Sequence, residues 1–88
     1  MALYKVFFRK SVQKDFATIP KKDVERILSR IKALEIDPRP PGSEKLTGLE
    51  RYRLRQGRYR ILYSIQDKQL TVWIVAVGPR KGIYRKNP

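Results

Sequence analysis

The sequence predicts an α+β fold: an N-terminal strand, a two-helix hairpin and a three-stranded antiparallel meander. The helices are expected to pack on one face of a four-stranded sheet. Three observations carry this. Arg51 to Tyr63 (RYRLRQGRYRILY) alternates arginine with tyrosine, leucine and isoleucine, the pattern of strands with one buried and one wet face. Val24, Ile27, Leu28, Ile31 and Leu34 form a single apolar stripe at helical spacing. Gln69 to Val77 (QLTVWIVAV) is apolar on both faces, as in a strand inside a sheet.

Leu3 to Arg9 (LYKVFFR) reads as a short strand with apolar residues on both sides, inside the sheet or partly covered on both faces. Ser11 is a candidate N-cap for a first helix carrying Val12, Phe16 and Ile19 at helical spacing. Pro20 separates it from the second helix, which should stop near Asp37 because Pro38, Pro40 and Pro41 follow. Pro38 to Gly48 (PRPPGSEKLTG) reads as a loop without chemistry of its own. Gln56-Gly57 breaks the arginine-rich run into a tight hairpin. One face of it should hold Tyr52, Leu54, Tyr59, Ile61, Tyr63 and Ile65, the other Arg51, Arg53, Arg55, Arg58, Arg60, Leu62 and Ser64. A polar turn at Asp67-Lys68 leads into the last strand. Alternation places Leu70, Val72, Ile74 and Ala76 on one side of it and Thr71, Trp73, Val75 and Val77 on the other. The arginine face would then also carry an apolar patch of Leu62, Trp73 and Val75, with Trp73 read as packing. Gly78 to Gly82 ends the strand, and a basic tail follows.

Eighty-eight residues make one small domain, residues 1–88, with a modest core. The formal net charge is +13, which opposes compaction and predicts salt-dependent binding to nucleic acid. With no cysteine and no histidine, the chain lacks a thiolate nucleophile and the usual general base and metal ligand. No signal-peptide core and no apolar run near the ~18 residues of a membrane span is present, so a soluble cytoplasmic protein without cofactors is expected. The functional signal is the hairpin itself. Several fixed guanidinium charges on one strand face make a site for polyanions, phosphate first. The composition is shared with ribosomal and other basic proteins, so a merely soluble basic surface is the bland alternative. A basic RNA- or ribosome-binding module without catalysis is a further reading, favoured by the lack of a general base.

KLTGLERYRLRQGRYRILY at Lys45 to Tyr63, VWIVAVGPR at Val72 to Arg80 and GIY at Gly82 to Tyr84 together resemble the RelE family of the RelE/ParE toxin–antitoxin toxins, along essentially the whole chain. The resemblance implies a ribosome-dependent mRNA endoribonuclease that cuts in the ribosomal A site by 2′-hydroxyl attack without a metal. It also implies an antitoxin partner of the RelB kind, acidic where it meets this basic surface. The family's active-site positions fall on Arg53, Arg55, Arg60, Arg80 and Tyr84. Lys45, Arg51, Arg58, Lys81 and Arg85 complete the RNA-facing set, Arg51 and Arg58 being individually solvated or antitoxin-facing charges. The family often has lysine at the two strand positions that are Arg53 and Arg55 in this sequence, and arginine does not release its proton at usable pH. Arg55 is therefore expected to hold phosphate, Arg60 and Arg80 to stabilise the pentavalent phosphorane, and Tyr84 to exchange a proton or stack on a base. Nearby guanidinium groups would lower the Tyr84 pKa. A ParE-like poison of DNA gyrase is the alternative within the same fold.

Overall fold

A computed structural model describes residues 3–46, 48 and 50–79. The chain runs β1 (Lys5–Phe8), α1 (Lys10–Ala17), α2 (Lys21–Ala33), β2 (Glu44–Lys45), β3 (Tyr52–Gln56), β4 (Tyr59–Gln66), a 3₁₀ turn (Asp67–Gln69) and β5 (Thr71–Pro79). Among the described residues the sheet has five strands in the order β1-β5-β4-β3-β2, one more than the sequence predicts. The addition is β2, a two-residue strand inside the expected Pro38–Gly48 loop, too short to leave any periodicity. β3, β4 and β5 form the antiparallel meander. β1 runs parallel to β5 and lies at the sheet edge rather than inside it, with Phe7 and Phe8 exposed.

One apolar core joins the helices to one sheet face. Val12 and Ile19 from the first helical segment, Ile27, Ile31 and Leu34 from the second, and Leu54, Tyr59, Ile61, Tyr63, Val72, Ile74 and Val77 from the strands are all buried in it. Leu28, expected in the stripe, is exposed; it sits at the margin of a stripe whose centre is Ile27 and Ile31. Ser11 lies within α1, whose N-cap is Arg9. The last α-helical residue of α2 is Ala33, but the backbone N–H groups of Glu35, Ile36 and Asp37 still bond back to Lys32 and Ala33, so the coil tightens rather than stops before Pro38.

The β4–β5 ladder contains one irregularity. Leu62 pairs with Ala76 and Tyr63 with Ile74, which leaves Val75 as an extra residue in β5. Such a bulge reverses the side-chain phase beyond it. Val77 therefore enters the helix-side core, and Ala76 joins Leu62 and Val75 in a small cluster on the opposite face. This exchanges the expected sides of Ala76 and Val77. Asp15 of α1 is buried and accepts the Val77 backbone N–H through Oδ2 at 3.0 Å. β1 pairs only as far as Ile74, so beyond that point the free edge of β5 needs another acceptor, and the helix supplies it.

Arg39, in the proline-rich loop, fastens that loop to the sheet. Its guanidinium donates to both Asp67 carboxylate oxygens at 3.1 and 2.8 Å and, through Nε, to the Tyr52 hydroxyl at 3.1 Å. Tyr4 donates to the same carboxylate at 2.7 Å. The arginine and then the tyrosine hold the Asp67 carboxyl down at about 2. Beneath them the Tyr52 ring stacks on Tyr63, whose hydroxyl donates to the Pro38 carbonyl at 2.8 Å.

Candidate nucleic-acid interface

The hairpin register builds the candidate site. Gln56 pairs with Tyr59, so Gly57 and Arg58 form a two-residue connection. Gly57 has φ +59°, the positive φ that suits glycine at the first turn position of a hairpin whose twist matches its strands. From that turn the ladder pairs Arg55 with Arg60, Leu54 with Ile61 and Arg53 with Leu62. Directly paired residues share a face. Leu54 and Ile61 belong to the helix-side core, so Arg53, Arg55 and Arg60 come together on the other face, beside Leu62, Val75 and Ala76.

The three arginines occupy different environments. Arg55 is exposed. Arg60, on the central strand, is 5% exposed. Arg53 is half-buried and ion-paired with Glu44, the residue opposite it on β2. Gly42, Glu44, Arg53 and Arg55 line an open hollow of about 300 Å³ at this end of the face. Two like charges directly opposite one another across a ladder are destabilising. Arg55 and Arg60 present two cationic side chains from opposed positions on one face.

The other sequence-predicted positions divide. Lys45 pairs with Tyr52, so the register turns it to the helix side of the sheet edge, where it forms an ion pair with Glu50 at 3.6 Å. Arg58 does not share a face with Arg60. It belongs to the turn, its guanidinium lies 5.6 Å from the centre of the Tyr59 ring, and it lines a cavity with Asp23 and Arg26 of α2. Turn residues escape strict alternation, which is why the periodic reading misplaces it. Arg80, Lys81, Tyr84 and Arg85 lie outside the described residues.

At the other end of the same face, Arg9, Arg51, Ser64, Gln66 and Trp73 line a cavity of about 350 Å³. Trp73 pairs with Ser64 on β4 and with Phe7 on β1. It stacks on the Phe7 ring at a centroid distance of 5.1 Å, yet remains 38% exposed, so packing accounts for only part of its surface. Arg9 is a functional candidate absent from the sequence reading. Its signal was the alternation of Lys5, Phe7 and Arg9, which puts it in line with Trp73's neighbour.

Residues 6–84 match the family model described as the ParE toxin of type II toxin–antitoxin systems, parDE. A RelE-like toxin protein of Escherichia coli is 31% identical over 81 residues, covering 89% of this chain and 84% of that protein. Among solved structures, the archaeal RelE–RelB complex from Pyrococcus horikoshii aligns with a TM-score of 0.80 and 32% identity, covering 91% of this chain and 98% of that one. The RelBE2 toxin–antitoxin complex from Mycobacterium tuberculosis aligns with a TM-score of 0.80 and 26% identity, covering 90% of this chain and 100% of that one. With its helices on one face of a mixed sheet and Arg53, Arg55 and Arg60 on the other, the chain belongs to the RelE family of the RelE/ParE superfamily, the toxins of type II toxin–antitoxin systems.

Proposed function

We propose that this toxin is a ribosome-dependent mRNA endoribonuclease that works without a metal and is silenced by an acidic, RelB-like antitoxin. The observation that supports it best is the cross-strand opposition of Arg55 and Arg60 on the face left open by the helices. A scissile phosphate bound there meets fixed, planar donors that hold its oxygens in pairs. The ribose 2′-oxygen attacks the adjacent phosphorus. The O2′–P bond forms, the P–O5′ bond breaks, and the 2′-hydroxyl proton leaves while O5′ gains one. The products are a 2′,3′-cyclic phosphate and a 5′-hydroxyl. Charge builds on the equatorial oxygens of the phosphorane, where Arg60 and Arg80 act; Arg53 and Arg55 hold the strand, and Tyr84 exchanges the proton.

Each preorganised donor aimed at developing charge is worth about 10²–10³ in rate. Purified ribosomes programmed with a defined mRNA provide the assay. Arg60→Lys, which keeps the charge but not the fork, Arg80→Ala and Tyr84→Phe are each expected to slow cutting by that order. Wild-type cutting by all three variants would remove the proposal. The family-model match to ParE toxins favours a second reading, a poison of DNA gyrase. Expression of the toxin separates the two: arrest of translation with codon-phased mRNA cuts supports the nuclease, whereas an SOS response with intact mRNA supports the gyrase poison.

A further inference from the structure

The cavity bounded by Arg9, Arg51, Ser64, Gln66 and Trp73 has a composition that core packing does not require. One wall is an aromatic surface: Trp73, stacked on its cross-strand neighbour Phe7 and still more than a third exposed. Two arginines stand at its margins, where no described acidic side chain lines the cavity. Between them are neutral hydrogen-bonding groups. Ser64 Oγ accepts from Gln66 Nε2 at 3.3 Å, which leaves the hydroxyl proton available to donate. Gln66 Oε1 is buried and accepts no hydrogen bond. A buried acceptor without a donor is unfavourable, so this carboxamide gains by turning toward a donor brought into the cavity.

Stacking surface, flanking cations and a small set of neutral donors and acceptors are what single-stranded nucleic acid needs. The volume of about 350 Å³ falls within the range of small-ligand sites, roughly 300–1,000 Å³. Ser64 lies on the same strand and the same face as Arg60. Four residues of strand separate them by about 13 Å, so one extended RNA strand can span both.

We propose that this cavity is a second RNA subsite, in which one unpaired nucleotide beside the scissile position stacks its base on Trp73 and sets its flanking phosphates against Arg9 and Arg51. Ser64 and Gln66 meet the base edge. The subsite rests on the nuclease reading for its place on the RNA, but it makes its own demand: binding there is separable from cutting.

Trp73 is the chain's one tryptophan, so its fluorescence reports this cavity alone. The titrant is a short mixed-sequence 2′-O-methyl RNA, which cannot be cut because the attacking hydroxyl is blocked. Saturable quenching of Trp73 is expected, with ribose 5-phosphate, which has no base, giving none. Arg9→Gln combined with Arg51→Gln should weaken the quenching titration about tenfold and lower the salt slope of log Kobs by about 0.7 for each phosphate that is no longer neutralised, the single-strand value. Trp73→Phe retains an aromatic ring on Phe7 and, in a filter-binding measurement, should bind less tightly than wild type but more tightly than the double arginine variant.

Quenching by RNA in a protein that cuts no mRNA would support the subsite while removing the nuclease reading. Cutting by wild type without quenching, and with an unchanged KM in the double arginine variant, would overturn the subsite alone. Equal quenching by ribose 5-phosphate, or quenching only by a glutamate-rich peptide, would also overturn it, the latter by assigning the cavity to a protein partner.

Discussion

At the residue scale, the informative side chains are those that sit where stability alone would not put them. Arg55 faces Arg60 across the ladder, a like-charge pairing that costs about 0.2–1 kcal/mol. Arg55→Gln is therefore expected to stabilise the protein by a few tenths of a kcal/mol, read as a small rise in Tm, while mRNA cutting falls. A stability loss instead would mean that the two guanidinium groups do not repel. Tyr63 makes the opposite case. It is fully buried, and burial pushes its hydroxyl up to about 12. The folded pKa lies above the unfolded value near 10, so its contribution is complete below about pH 10 and is lost as pH rises toward 12. Urea midpoints measured across that interval should fall in wild type and fall less in Tyr63→Phe. The arginine alternation was legible in the sequence because strand period fixes face. Arg39 was not, because nothing local marks a loop arginine that will find Asp67, 28 residues further on.

At the element scale, helix α1 is joined to strand β5 by one buried carboxylate. Asp15→Ala leaves the Val77 N–H buried without its acceptor, and such a loss costs about 1–3 kcal/mol. Chemical denaturation of this variant should show that destabilisation, and amide exchange at Val77 should accelerate more than at Ile61. The Asp67 clasp between the proline-rich loop, Tyr4 just before β1 and the 3₁₀ turn predicts an acid limb. The folded carboxyl titrates at about 2, below its unfolded value near 4, so its contribution is present above about pH 4 and lost as pH falls toward 2. Asp67→Asn should shrink the difference in Tm between pH 5 and pH 2.5. The major elements were legible from spacing, and the hairpin from Gly57. Asp15 was not, because a lone acidic residue on a helix carries no mark of the backbone group it will meet. β2 leaves no mark in the sequence because two residues are shorter than any period, so the side that Lys45 faces is not readable there either.

At the scale of the whole molecule, a net charge of +13 makes salt act in two directions. Self-repulsion is screened as the Debye length shrinks to about 8 Å at physiological ionic strength, so Tm should rise with added sodium chloride. Over the same range RNA binding should weaken linearly in log–log form. A melting temperature that falls with salt would place the dominant charge effect in ion pairs rather than in repulsion. The order of elements and the helix-covered side of the sheet were readable from pattern, since each amphipathic segment had one place to bury its apolar side. The bulge was not, since alternation through Ile74, Val75 and Ala76 is unbroken as text. Yet that single surplus residue accounts for the exchanged sides of Ala76 and Val77. Loss of the Val75 codon would leave Ile74, Ala76 and Val77 in strict alternation with the pairings on either side unchanged, so Val77 would stay in the core and the bulge alone would vanish, whereas Val75→Ala would keep the bulge and thin a small patch. This position can therefore be skipped as well as resized, and a frame-preserving deletion scan should find it more forgiving than Leu54, which sits in the regularly paired stretch of β3.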